Sequence, residues 1–253
     1  MADGYHAIYR CAQYAAIGVT LDGSFAEYMR VPASAIAQGN LISVDNSIDP
    51  AAAALIEPFA CVLRGQEALH IQPGETVLVI GAGPIGIMHA LLAQFRGAGK
   101  IFISELNPLR SAQAEAFGIG LVIQPAQGDL VEIIKSETGG EGVDVIIVAA
   151  PAPSAQEVSL ELAALGGRIN FFGGLPKERS KILFDSNLVH YKELTVTGTT
   201  ACSTDNCRQA AAIAGSGRLD LTRIVGARFP LDAAAQAFQA AEDGTTLKVV
   251  MEP

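Results

Sequence analysis

Between Gly74 and Thr199 the chain alternates short, almost uncharged runs with helical segments, and this alternation limits the fold more than any other feature. Strands are expected at Thr76–Ile80, Lys100–Glu105, Leu121–Gln124, Val143–Ala150, Arg168–Phe172 and Leu194–Thr199. Helices are expected at Pro84–Gly97, Pro108–Phe117, Asp129–Glu137 and Ser154–Leu165. Strands that are apolar throughout need cover on both faces, so the pattern predicts an α/β fold with a parallel sheet between two helical layers. The flanks are less regular. Asp22-Gly23 is a turn, followed by an expected strand at Phe25–Pro32. Asp49 can cap a helix that has Pro50 at its first position, and Pro58 restarts a second helix towards His70. The tail holds expected helices at Thr204–Ala214 and Leu231–Ala241 and a strand at Leu247–Met251.

Composition removes several classes of function. Half the residues are apolar and only 17% are charged, against about 25% in ordinary soluble domains, which excludes a disordered chain. The 17 basic and 26 acidic residues give a net charge of −9, so a phosphate backbone would be repelled and no nucleic-acid partner is expected. Cys11, Cys61, Cys202 and Cys207 include no Cys-x-x-Cys pair, so neither a disulfide scaffold nor a local zinc knot follows. The most apolar run, Ala51 to Leu63, is broken by Glu57 and Pro58 and is too short to span a bilayer. Met1–Arg10 lacks the pattern of a secretory signal. A cytoplasmic protein without a membrane partner is expected.

Gly81-Ala82-Gly83-Pro84-Ile85-Gly86 fits G-x-G-x-x-G, directly after the first apolar run and at the start of a helix. Gly81 permits the tight turn, Gly83 lets backbone approach a pyrophosphate, and Gly86 lets helix and strand pack closely. Pro84 lacks an amide where none is needed, and the amides at the helix start, Ile85 among them, attract phosphate. Glu105 stands 24 positions after Gly81, near the roughly 20-residue offset of an acid that binds ribose hydroxyls. A carboxylate there favours NAD and repels the extra phosphate of NADP. Arg110, close by, is expected to lie over the adenine. Ligands of such sheets bind outside the strand ends, where Ala150, Gly173 and Thr199 lie.

Several blocks resemble the zinc-containing medium-chain alcohol and polyol dehydrogenases, in family order. They are Asp22–Tyr28 with Val31-Pro32, Ala54–Pro58, the Gly81–Gly86 loop, Phe171–Pro176 and Asn187–Leu194. The last two are similar to the sorbitol and threonine dehydrogenase branch. The resemblance implies a Rossmann doubly wound sheet over residues 50–199, with 1–49 and 200–253 as the remnant of a GroES-like, β-rich substrate domain. It implies hydride transfer between a small alcohol or polyol and NAD, with catalytic zinc. It places the backbone near Ala150, Gly173 and Thr199 beside the nicotinamide, and it makes Glu57 a catalytic residue beside the zinc, as ligand or as holder of its water. It further implies a homodimer or homotetramer, joined in the family through an edge strand like Lys181–Asp185.

Against that family, the chain lacks about a hundred residues at the front, with the Gly-His-Glu motif and most of a four-cysteine structural site. Tyr9 stands where the family has its fourth structural cysteine, with Cys11 two residues on. Glu57 is left as the one ligand carried by a family motif, so NAD binding is expected with less than one zinc per chain and poor turnover of polyols. Two rival readings stand beside this one: a zinc-free medium-chain reductase, and a non-catalytic NAD-binding or interaction module.

Overall fold

The computed structural model describes residues 15–125 and 128–253; Tyr9 and Cys11 lie outside them. The chain forms two compact units, Val62–Thr200 and the remainder up to Cys61 and from Ala201 on. In chain order the helices are α1 (Ala33–Ala37), α2 (Pro50–Ala53), α3 (Ile56–Glu67), α4 (Pro84–Phe95), α5 (Pro108–Glu115), α6 (Leu130–Glu137), α7 (Pro153–Leu162), α8 (Ser186–Tyr191), α9 (Thr204–Gly215) and α10 (Ala234–Glu242). The strands are β1 (Thr76–Ile80), β2 (Lys100–Ser104), β3 (Leu121–Ile123), β4 (Val143–Val148), β5 (Ala163–Phe171), β6 (Thr195–Gly198), β7 (Val225–Pro230) and β8 (Lys248–Glu252). All six strands read from the alternation are present.

β1 to β6 form one parallel sheet in the order β3-β2-β1-β4-β5-β6. This is the Rossmann order, with its switch point between β1 and β4. Leu78 pairs in register with Phe102 and Ile146, and all three are fully buried. With Ile169 they meet Ile134 of α6 and Leu160 of α7 on one face. Val77, Val79, Ile103, Val145 and Ile147 alternate with them and are also fully buried. α4 packs against β1 and β2. Burial on both faces is what keeps a parallel sheet in place, and it explains why these strands carry almost no charge.

α4 also carries a buried imidazole. His89 has no exposed surface, stacks edge-on against Phe172 with centroids 4.6 Å apart, and its burial depresses its pKa to about 3. The unfolded chain takes up this proton near pH 6.5, whereas the folded chain stays neutral down to about pH 3. The stabilisation is therefore complete above pH 6.5 and is lost as pH falls through this window. The expected slope is about 1.4 kcal/mol per pH unit. Chemical denaturation between about pH 6 and pH 5 should show it, and His89→Leu should flatten it.

In the other unit, β7 and β8 pair in parallel and α10 packs on both. The Asp49 carboxylate caps α2 by accepting from the Ala51 amide at 2.8 Å. Its second oxygen meets Arg228 at 2.8 Å, and Arg228 also reaches Glu252 at 2.9 Å. Several details differ from the sequence reading: α1 and α8 were not expected, and α3 starts at Ile56, so Pro58 lies in its first turn and does not restart a helix. Phe25–Pro32 is not a strand: no strand pairs with it among the described residues, and Phe25 instead packs edge-on against Phe238. Lys181–Asp185 is not a strand either, because its groups are engaged elsewhere. The Leu183 amide donates to Glu157 at 2.9 Å, and the Asp185 side chain caps α8. The last helix begins as a 3-10 turn at Leu231–Ala233. β7 was not expected, although the alternation of Val225, Ala227 and Phe229 is its signal. Among the described residues no helix is long and apolar enough to cross a membrane.

Candidate cofactor pocket and thiol cluster

The glycine loop leaves β1 at the switch point. Gly81 has φ +106, a conformation open to glycine and strained for other residues. Its amide donates to Ser104 O at 2.7 Å, and the amides of Ala149 and Ala150 both donate to Ile80 O at 2.9 Å. The ends of β1, β2 and β4 are thereby tied into one rim. A Cβ on Gly86 would overlap Gly81 O, so only glycine lets α4 start this close to β1. A Cβ on Gly83 would meet nothing within 4 Å. Gly83 therefore borders open space, as expected of backbone that a ligand approaches. Gly83 is also the N-cap of α4, with Pro84 following, and the positive end of the helix faces the loop.

Glu105 follows β2 and is 9% exposed. One carboxylate oxygen accepts from the Ala82 amide at 2.7 Å and the other from the Asn107 amide at 2.9 Å. A carboxylate has about four acceptor positions, so two remain. Glu105 thus splints the glycine loop to the start of α5 and keeps acceptor capacity.

A cavity of about 550 Å³ opens over this rim. Of the residues singled out in the sequence, Gly81, Gly83, Pro84, Ile85, Gly86, Glu105, Arg110 and Ala150 line it together. Gly173 and Thr199 do not line it. Gly173 packs against Ala149 and Ala150 at distances that leave no room for a Cβ, and Thr199 Oγ1 donates to Asn170 at 3.4 Å. Leu106, Pro125, Leu130 and Val158 supply apolar wall that sequence reasoning did not identify. Apolar walls with a few converging polar groups are what a cofactor site needs.

Glu57 lies in the first turn of α3, in the other unit, and it is not isolated. Cys61, one turn on, places its sulfur 3.4 Å from Glu57 Oε1. Cys202, in the loop between β6 and α9, places its sulfur 3.9 Å from the same oxygen. The three ligating atoms lie within 4.8 Å of one another. The Cys207 sulfur is 3.5 Å from that of Cys202. The Cys207 hydrogen bond lowers the Cys202 pKa, but the contact with Cys61, burial and the charge of Glu57 outweigh it and push Cys202 up to about 12. The hydrogen bond to Cys202 and burial push Cys207 up as well. The sequence offered Glu57 alone as a metal ligand and read Cys202 and Cys207 as buried thiols rather than ligands; both are half-buried, and Cys202, 145 residues from Glu57, is beside it only in the folded chain.

Comparison with known proteins agrees with this architecture. Residues 84–216 match the family model described as zinc-binding dehydrogenase. The L-threonine 3-dehydrogenase of Bacillus velezensis is 33% identical over 244 residues, covering 96% of this chain and 68% of that protein. The L-threonine 3-dehydrogenase of Pyrococcus horikoshii is also 33% identical, over 95% of this chain and 67% of its own length. Among solved structures, a zinc-binding dehydrogenase from Sinorhizobium meliloti bound to NADP superposes with a TM-score of 0.84 at 29% identity. It covers 96% of this chain and 70% of its own. The alcohol dehydrogenase TADH from Thermus sp. ATN1 gives 0.82 at 28% identity, over 92% of this chain and 66% of its own. With a parallel sheet in Rossmann order, a glycine loop at its switch point and these relatives, the chain belongs to the zinc-binding dehydrogenase family.

Proposed function

We propose that the chain is an oxidoreductase that moves hydride between a small alcohol or polyol and NAD. The observation that carries this reading is the shared cavity of the glycine loop, Glu105 and Arg110. The pyrophosphate sits over Gly83, where backbone amides and the start of α4 meet open space. Glu105 uses its spare acceptor positions for the ribose hydroxyls while still holding the Ala82 amide. Its charge disfavours the additional phosphate of NADP, so NAD is the preferred cofactor. Arg110 stacks over the adenine. The backbone at Ala150 borders the same cavity, and the family resemblance sets the backbone at Gly173 and Thr199, outside that cavity, beside the nicotinamide, whose orientation determines which face of the ring receives hydride.

The family implies catalytic zinc, and the donor set around Glu57 fits it: one carboxylate with two sulfurs within 4.8 Å. Zinc, when bound, supplies the Lewis acidity that lowers the pKa of an alcohol oxygen. Glu57 is the carboxylate of this chain that holds it. The relatives named L-threonine 3-dehydrogenase direct the substrate search to small hydroxy compounds.

The direct test supplies NAD with a panel of small alcohols, polyols and threonine and follows NADH absorbance. With Cys61 and Cys202 beside Glu57, the expectation of little zinc and poor turnover, which rested on Glu57 alone, gives way to zinc-dependent reduction of NAD by at least one of them. Tight NADH binding with no turnover of any of them would leave the nucleotide-binding module and remove the enzyme.

A further inference from the structure

We propose that Glu57, Cys61 and Cys202 are ligands of a zinc ion held by this chain. Neither cysteine belongs to a block that carries the family resemblance. The inference rests on the reading that the chain is a zinc protein, and it names which atoms bind.

Local structure brings the three donors together. Glu57 and Cys61 stand four apart on α3, so their side chains share one face of the helix. Arg64 continues that face and donates to Thr200 O at 2.6 Å. This bond ties down the loop two residues before Cys202. On its other side, Cys202 is followed by Ser203, which caps α9 in a reciprocal pair with Asn206. Between these anchors Ala201 has φ +57, a left-handed conformation that costs a non-glycine residue energy. The loop is therefore held in a specific shape that points Cys202 at the helix face.

The spacing suits a tetrahedral ion. With a Zn–S bond of about 2.3 Å and a Zn–O bond of about 2.1 Å, a sulfur and an oxygen of one tetrahedron stand roughly 3.6 Å apart. The two sulfur–oxygen distances here are 3.4 Å and 3.9 Å. Three protein ligands leave a fourth position for water or an alcohol oxygen, the arrangement of an open zinc site. Two thiolates select zinc over magnesium or calcium, which take oxygen donors. Cys207 lies outside the trio but touches Cys202, so it supports the bound sulfur through a hydrogen bond. Each thiol releases its proton to solvent as the metal binds.

The test uses the full reduced chain and metal alone, without NAD or alcohol, so its failure leaves the nucleotide reading intact. Cobalt(II) serves as a spectroscopic stand-in for zinc. One equivalent should give a sulfur-to-cobalt absorption band that zinc abolishes. Cys61→Ser and Cys202→Ser should each remove about half the band and weaken binding roughly tenfold or more. Glu57→Gln should weaken binding while keeping the band, and Cys207→Ser should leave the band near its original intensity. If a serine variant folds poorly, shielding in the unmodified chain decides: zinc should protect two of its four cysteines from a thiol reagent. No band and no shielding at one equivalent would overturn the site. So would a band lost in Cys207→Ser and kept in Cys61→Ser.

Discussion

Gly86→Ala should lower the stability of the chain by about 3 kcal/mol or more and remove NADH binding with it. The added methyl would overlap Gly81 O and approach the carbonyl carbon to 2.9 Å. Both are backbone atoms at the end of β1, fixed by the bond from the Gly81 amide to Ser104 O. Backbone cannot swing aside as a flexible side chain does, so α4 must lift from the strand. Burial of His89, Met88 and Leu92 on that helix is then lost in part. Gly83→Val is the informative contrast. Its Cβ meets nothing within 4 Å, so no backbone has to move and the denaturation midpoint should fall far less than in Gly86→Ala, by no more than the loss of glycine from the N-cap of α4. NADH affinity should nevertheless fall about tenfold or more, about 1.4 kcal/mol or beyond, because that space is where the pyrophosphate is expected. If Gly83→Val binds NADH as well as the parent, the loop is not the phosphate site.

The second large effect is expected from Glu105→Ala. The carboxylate answers the Ala82 and Asn107 amides at 2.7 Å and 2.9 Å in a buried position. Removing it leaves both donors unmet, at a cost of about 1–3 kcal/mol for each one that water cannot reach. It also removes the negative charge that separates NAD from NADP. The variant should therefore show a lower denaturation midpoint, weaker NADH binding and a diminished preference for NADH over NADPH. Glu105→Gln keeps one acceptor oxygen and should recover part of the stability while the cofactor preference stays reduced. Unchanged discrimination in both variants would mean that Glu105 only splints the loop.

The sheet was legible because its strands are buried on both faces. Val77–Ile80, Ile101–Ser104 and Val145–Val148 are apolar almost without interruption, and the turns between them carry glycine, proline or a capping Asn or Asp. Eight of the ten residues expected at the cofactor line one cavity; the five from the glycine loop were legible because the motif specifies backbone geometry, and φ +106 at Gly81 is a property of glycine. Edge and surface segments were not. Phe25–Pro32 has β-strand composition, but a strand needs a partner, and composition does not show whether one is present. Lys181–Asp185 is decided by one bond from the Leu183 amide to Glu157 and one cap on α8, both specific to three-dimensional placement. The thiol cluster was the least legible. Glu57 and Cys61 share a helix face, a relation any helical reading contains. Cys202 reaches them only because the chain crosses the whole sheet first, and no local pattern encodes that return.

Calorimetric titration of the purified chain with NADH and then NADPH tests most directly whether NAD occupies the loop beside Glu105. Saturable binding of one NADH per chain, at least about tenfold tighter than NADPH, is the predicted result. No heat with NADH, or tighter binding of NADPH, would contradict it.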